Sequence, residues 1–241
     1  MSRDFTKTQT WVFDLDNTLY RADSNLFAQI DQKMGEFIAR YLGVSFERAR
    51  YLQKNYYRQY GTTLSGLMTV HNMDPTDFLD YVHDIDLSPV PEHPELADAI
   101  AALPGNKFIF TAGSRRHAEN VAGKLGVLHL FDDIMDIVDT AFVAKEQAEA
   151  YDAFLKRHNV DPTQAAMFED MPHNLLPAHM LGMTTTLVHS SYVDHPVQLK
   201  IREWSEPPAH VHHMTEDLHG FLHEVPLAQV ALAAQVGPRE A

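Results

Sequence analysis

The stretch Trp11-Val-Phe-Asp14-Leu-Asp16-Asn-Thr18-Leu-Tyr20 begins as an apolar run and turns abruptly acidic. A short apolar run bounded by polar residues reads as a buried strand, and its carboxylates then stand at the strand's carboxyl end. Runs of similar length recur at Phe108 to Phe110, Ile134 to Val138, Ala165 to Phe168 and Thr184 to Val188. Between them lie helical patterns at Glu95 to Leu103, Arg116 to Leu125, Gln147 to His158 and His173 to Leu181, punctuated by Pro104-Gly105-Asn106 and Asp161-Pro162. Strand alternating with helix predicts a parallel sheet covered on both faces.

The expected class is therefore α/β, a Rossmann-like parallel sheet flanked by helices, with one interruption. From about residue 21 to 88 the pattern is wholly helical. Leu26, Phe27, Ile30, Met34, Phe37, Ile38, Tyr41 and Leu42 follow a 3.6-residue period and Gly43 is placed to end that helix. Further helices are expected to start at Ser45 and at Asp74-Pro75, a capping residue and a first-turn proline. Ser88-Pro-Val-Pro-Glu-His-Pro94 reads as the return link. The expected division is a core of residues 1–20 and 89–228, an inserted all-α cap at 21–88, and a flexible tail at 229–241. A late strand is expected at Ala209 to Met214 and a closing helix at Glu216 to Leu222.

With 241 residues, 45% of them apolar, the chain can bury a sizeable core. No run approaches the roughly 18 apolar residues of a spanning helix. The absence of cysteine excludes disulfide and thiolate chemistry and suits a reducing compartment. Together with a polar start, this gives the expectation of a cytoplasmic protein with no membrane partner. A net charge of −14 without a basic run argues against nucleic acid as a partner. An anionic substrate would need a site that reverses the field locally.

In open α/β sheets ligands bind at the carboxyl ends of the strands. Four of the expected strands deliver chemistry there: Asp14 and Asp16; Thr111-Ala112-Gly113-Ser114; Lys145, beyond the third strand; and Glu169-Asp170. Four carboxylates brought together repel one another unless a cation neutralises them, and hard oxygen ligands with room for water suit magnesium. Thr111, the amides of Ala112 and Gly113, and the following helix start would form an anion cradle with Lys145. Each element alone also fits a plainer reading as a solvated strand end, a turn, a surface charge or a helix cap. Their order and matching positions favour the joint one.

In this arrangement the chain resembles the haloacid dehalogenase superfamily, whose phosphatases carry Asp-x-Asp-x-Thr, a Ser or Thr after the second motif strand, a Lys, and a terminal acidic pair. The resemblance implies a covalent mechanism. Asp14 would attack phosphorus, Asp16 would protonate the leaving oxygen and then activate water, and Thr111 with Lys145 would hold the phosphoryl group. Asp14, the Asp16 main-chain carbonyl and Asp170 would bind Mg2+. Glu169 is either a further ligand or a supporting residue, Thr18 is expected to be structural, and Asn174 is expected to orient Lys145 or Asp170. Ala112 stands where relatives often have Asn, and Glu146 where the Lys is often followed by Pro.

The helical insertion resembles the superfamily's first type of cap. Within it Asn55-Tyr-Tyr-Arg-Gln-Tyr-Gly-Thr-Thr-Leu-Ser-Gly66 resembles the pyrimidine 5′-nucleotidase subfamily, as does Asp16-Asn-Thr-Leu-Tyr20. The implied partner is a small phosphorylated metabolite, a nucleoside monophosphate in the leading reading, with Tyr57 and Arg58 as substrate contacts. Tyr56 and Tyr60 either stack on a base or pack the cap helix. His71 is a further candidate contact. A phosphatase of phosphoglycolate or a sugar phosphate, a 2-haloacid dehalogenase and a non-catalytic binding protein are the alternatives. Of the 15 histidines, His210, His212 and His213 invite a metal reading that lacks ligand spacing. Trp11 and Trp204 are expected to pack.

Overall fold

A computed structural model describes residues 3–191 and 196–225. The tail expected at 229–241 lies outside the described residues. The opening stretch forms β1 (Thr10–Phe13), buried along its whole length. It sits between β2 (Asn106–Phe110) and β4 (Ala165–Glu169), with β3 (Asp133–Met135) beyond β2, and β5 (Thr184–Val188) and β6 (His213–Thr215) beyond β4. The order is β3-β2-β1-β4-β5-β6 and every pairing is parallel.

Both faces of the sheet are covered because successive side chains along the central strands are mostly apolar and point to opposite faces. Trp11, Phe13, Ile109 and Phe168 point to one face, where they meet Leu96, Val121 and Leu222. Val12, Phe108, Phe110 and Met167 point to the other and meet Tyr151, Phe154 and Leu175. The covering helices are those of the expected alternation, together with a helix over residues 218–225. Trp11 donates its indole N–H to the Pro104 carbonyl at 2.7 Å, and Trp204 packs against the second face.

Between β1 and β2 run four helices: α1 (Leu26–Leu42), α2 (Phe46–Tyr60), α3 (Thr63–His71) and α4 (Pro75–Val82). Their boundaries follow the expected signals. Gly43 adopts a left-handed φ of 64° after α1, the Ser45 hydroxyl accepts from the Arg48 N–H, and the Asp74 carboxylate accepts from the Thr76 N–H. They share a core of their own built on Ile30, Ile38, Leu67, Phe78 and Val82. Returning to the sheet, the chain forms α5 (Pro94–Ala101), α6 (Arg115–Leu125), α7 (Ala148–His158), α8 (Pro172–Leu181) and α9 (Pro196–Arg202).

Most elements shift from expectation by a residue or two at one end, and three of the differing boundaries lie at β3 and near the C-terminal side of the sheet. The third strand stops at Met135 because the Asp136 carboxylate accepts from the amides of Arg115, Val138 and Asp139, which folds the chain out of the sheet. Ile137 then packs into the core of the four helices rather than against the sheet. The last strand is His213–Thr215 rather than Ala209 to Met214, and the closing helix begins at residue 218 rather than at Glu216. Among the described residues no helix is long and apolar enough to cross a membrane.

Candidate active site

The carboxyl ends of β1, β2 and β4, with the segment before α7, bring the expected residues together. Asp14 follows directly on β1, and its amide donates to the Phe168 carbonyl at 2.9 Å, so it is held by the neighbouring strand. Lys145 donates to Asp14 Oδ1, to Glu169 Oε1 at 2.9 Å and to the Phe110 carbonyl at 3.0 Å. Asp14, Lys145, Glu169 and Asp170 are all buried. One carboxylate oxygen from each of Asp14, Glu169 and Asp170 lies within 4.8 Å of the others.

The two members of the acidic pair have different surroundings. Glu169 accepts from the Met171 amide at 2.6 Å and the Asn174 side chain at 2.7 Å besides Lys145. Asn174 therefore steadies Glu169 and, through it, Lys145. Asp170 receives a longer contact, 3.4 Å, from the Asn17 side-chain amide. Asn17 has φ 61°, a left-handed turn that Asn tolerates well, and this bends the chain just after Asp16.

Burial dominates the electrostatics. It pushes the Asp14 carboxyl up to about 7, with Lys145 opposing and Glu169 and Asp16 adding to the rise. Asp170 is driven well above the carboxylate range by burial and then by Glu169 and Asp14. Burial works against Glu169 too, but Lys145 outweighs it and holds Glu169 below its ordinary value. Three buried carboxyls facing a single ammonium leave negative charge in excess, so this donor set fits a hard divalent cation.

Thr111 is buried at the end of β2, and its hydroxyl accepts from the Gly113 amide at 2.9 Å. Ala112 and Gly113 line the cavity above the carboxylates, as do Asp14, Asp16, Lys145 and Tyr57. The cavity holds about 340 Å³ and runs from the carboxylates into the four-helix segment, where Phe27, Ile30, Met34, Phe78 and Val82 form its walls. The Tyr57 hydroxyl stands 3.2 Å from His173 Nε2.

Other expected contacts are not brought to the cavity. Arg58 is exposed and donates to the Lys54 carbonyl of its own helix. Tyr56 is buried, with its hydroxyl 2.7 Å from His71 Nε2 and its ring edge-on to Tyr60, so these three residues pack the helices. Thr18 is buried, and its hydroxyl has no hydrogen-bond partner among the described residues. His212 Nε2 lies 3.2 Å from His179 Nδ1 and His213 Nε2 lies 2.6 Å from the Arg3 carbonyl. No third ligand joins them to form a metal centre among the described residues.

The sequence reading missed three residues around Asp16. Tyr20 Oη donates to Asp16 Oδ1 at 2.7 Å, His117 Nε2 lies 2.9 Å from the same oxygen, and His83 stacks on His117 with centroids 4.4 Å apart. Burial raises the Asp16 carboxyl, but His117 and then Tyr20 outweigh it and hold Asp16 below its ordinary value. Burial and then the neighbouring His117 push His83 down to about 3. The signal for Tyr20 was present, four residues after Asp16 on a tight turn. The two histidines come from distant segments and carry no local mark.

Comparison with known proteins follows the same stretch of chain. A family profile described as haloacid dehalogenase-like hydrolase matches residues 8–182. Phosphate metabolism protein 8 of Saccharomyces cerevisiae is 26% identical over 193 residues, 73% of this chain and 60% of that protein. Validoxylamine A 7′-phosphate phosphatase of Streptomyces hygroscopicus subsp. limoneus is 33% identical over 97 residues, 38% of this chain and 45% of that protein. The chain thus spans about half the length of the curated relatives it matches. A HAD phosphatase structure from Thermococcus onnurineus superposes with TM-score 0.58 at 15% identity, covering 90% of this chain and 97% of that one. L-2-haloacid dehalogenase from Xanthobacter autotrophicus superposes with TM-score 0.54 at 14% identity, covering 90% and 98%. Both structures share the fold. The profile spans more than half of the chain and includes Asp14, Thr111, Lys145 and Asp170, and the chain belongs to the haloacid dehalogenase-like hydrolases.

Proposed function

We propose that this chain is a phosphomonoester hydrolase working through an aspartyl phosphate on Asp14, with nucleoside monophosphates as its substrates. The observation that carries the reading is the buried grouping of Asp14, Lys145, Glu169 and Asp170 at one end of the cavity, with Asp16 beside it. An Asp14 oxygen attacks phosphorus, the bond from phosphorus to the ester oxygen breaks, and Asp16 supplies the proton that the departing oxygen takes up. Water then attacks the aspartyl phosphate, giving its proton to Asp16 and releasing inorganic phosphate and free Asp14. Although His117 and Tyr20 hold Asp16 low, a phosphoryl dianion arriving beside it acts in the opposite sense and favours the protonated form.

Lys145 and the Ala112 amide hold the phosphoryl oxygens, while the Thr111 hydroxyl, by accepting from the Gly113 amide, fixes the turn that presents the Ala112 amide. Asp14, the Asp16 main-chain carbonyl and Asp170 would hold magnesium, while Glu169 keeps Lys145 in place. When bound, the metal neutralises charge on the carboxylates and on the transferring phosphoryl group.

The four helices act as a cap that closes over the substrate and excludes water, dividing the chain into the core and insertion expected at 21–88. Their apolar walls support a leaving group with a flat apolar face, with Tyr57 positioned to meet a base at the mouth. Ile30, Phe78 and Val82 suit the flat face of a base, and Asp31, Gln53 and Thr62 on the same lining are partners for the ribose hydroxyls.

Phosphate release from a panel of nucleotides, hexose phosphates and phosphoglycolate, with magnesium and with chelator, tests the reading. Magnesium-dependent turnover highest on a nucleotide is expected. Asp14→Asn should lower kcat by on the order of 10³-fold or more. Preference for hexose phosphates would overturn the nucleotide assignment, and halide release from 2-haloacids without magnesium would overturn the phosphatase itself.

A further inference from the structure

Asp16 is fixed far more tightly than a solvent-facing carboxylate needs to be. Tyr20 Oη and His117 Nε2 both approach Oδ1, at 2.7 and 2.9 Å, and among the described residues Oδ2 carries no hydrogen bond. Two donors on one oxygen set the side-chain torsions and leave the other oxygen for the reacting groups. Tyr20 and His117 are themselves 4% and 1% exposed, so neither can swing away without opening the core.

The His117 ring is held from three sides. It lies in the first turn of α6, where its amide donates to the N-capping Ser114 hydroxyl at 3.3 Å. Gly113 backs onto it so closely that a Cβ there would stand 3.1 Å from His117 Cδ2. The third side is His83, whose ring is nearly parallel to it, at 15°. His83 does not belong to the sheet or its flanking helices. It is the residue that ends α4, its amide bonded to the Leu79 carbonyl at 3.3 Å, and its Nδ1 reaches across to the Ser114 hydroxyl at 3.0 Å. A continuous set of contacts therefore runs from the last helix of the insertion, through His83 and Ser114, to His117 and Asp16.

We infer that His117 is a positioning residue for Asp16, and that His83 completes this positioning only while the four-helix segment is docked on α6. Leaving-group protonation is thereby tied to docking of the segment that surrounds the leaving group. The inference rests on the proposed role of Asp16 as the acid. In that step the Asp16 O–H bond breaks and its proton passes to the ester oxygen as that oxygen leaves phosphorus. Misplacing Oδ2 harms the step most when the departing oxygen is strongly basic. An aryl oxide such as 4-nitrophenolate leaves with little help from an acid.

The test is kcat/KM with magnesium for a primary alkyl phosphate and for 4-nitrophenyl phosphate, in the native protein, His117→Ala, His117→Gln and His83→Ala. A general acid contributes on the order of 10²–10⁴-fold, so His117→Ala is expected to lose about 10²-fold or more on the alkyl ester and under about 5-fold on the aryl ester. His117→Gln, which returns an N–H close to the position of Nε2, should recover at least tenfold of the alkyl loss. His83→Ala should show the same ester dependence at smaller size. Equal losses on both esters in an active enzyme would overturn the inference and leave the phosphatase reading standing. Failure of the glutamine variant to outperform the alanine variant would do the same. A native protein without phosphatase activity would instead remove the reading beneath it. If His117→Ala fails to fold, the ester dependence of His117→Gln and His83→Ala decides the matter.

Discussion

At the scale of single residues, Lys145 is the balance point of the site. It is the cation between Asp14 and Glu169, and all three side chains are buried. Removing one partner from a buried ion pair costs about 3–5 kcal/mol, because the other charge stays uncompensated. Lys145→Met is expected to lower the unfolding midpoint accordingly, and magnesium should restore more stability to this variant than to the native protein, since both ions relieve the same repulsion. Thermal unfolding with magnesium and with chelator measures both effects, and a variant as stable as the native protein in chelator would count against the reading. The residues around Lys145 were legible in the sequence because each stands at the end of an apolar run. Tyr57 and Arg58 show the limit of such legibility. They are adjacent on a helix, where neighbours point about 100° apart, so only one can enter the cavity, and local sequence does not say which. Tyr57 lines it and Arg58 turns outward.

Among elements, the edge where β5 meets β6 carries a proton-sensitive contact. The buried Thr185 donates its amide to His212 Nδ1 at 3.0 Å, which requires that nitrogen to be unprotonated. Burial and then His179 push His212 down to about 4. Because this base is depressed on folding, the unfolded chain binds more protons between about pH 6.5 and 4. The stabilising contribution is complete above pH 6.5 and is lost as pH falls through that window. Unfolding midpoints should decline there, and His212→Asn, which keeps an acceptor near Nδ1 but does not titrate, should flatten part of the decline. An unchanged profile in the variant would remove the contact from the account. Burial moves His158, His189 and His210 in the same direction, so the flattening is partial. The helix ends at Gly43, Ser45 and Asp74 were readable because caps are local chemistry. The end of β3 was not, because Asp136 acts on Arg115, a residue brought in by the preceding crossover.

For the whole molecule, strand-helix alternation and its wholly helical interruption were enough to read the architecture. What they could not show is how the interruption docks, since the Arg116–Asp80 pair at 3.0 Å and the His83–Ser114 contact join segments that share no local pattern. Net charge acts at this scale too. A chain of charge −14 repels an approaching phosphate dianion beyond the immediate reach of Lys145. Raising monovalent salt from about 10 to 150 mM shortens the Debye length from roughly 30 to 8 Å and should raise kcat/KM for a phosphomonoester at saturating magnesium. A fall instead would mean that the local positive field of the site dominates the encounter.

The central place of β1 has a consequence in time. Thr10 pairs with Asn106 on one side and Ala165 on the other, so the strand that carries Asp14 is made early but closed late. Contacts of such separation form slowly. During synthesis the four helices of the insertion can gather on their own short-range contacts, while β1 waits for partners still to emerge. The exposed apolar strand ahead of Asp14 is then open to wrong pairing, and Asp14 acquires its surroundings only when the acidic pair at the end of β4 arrives.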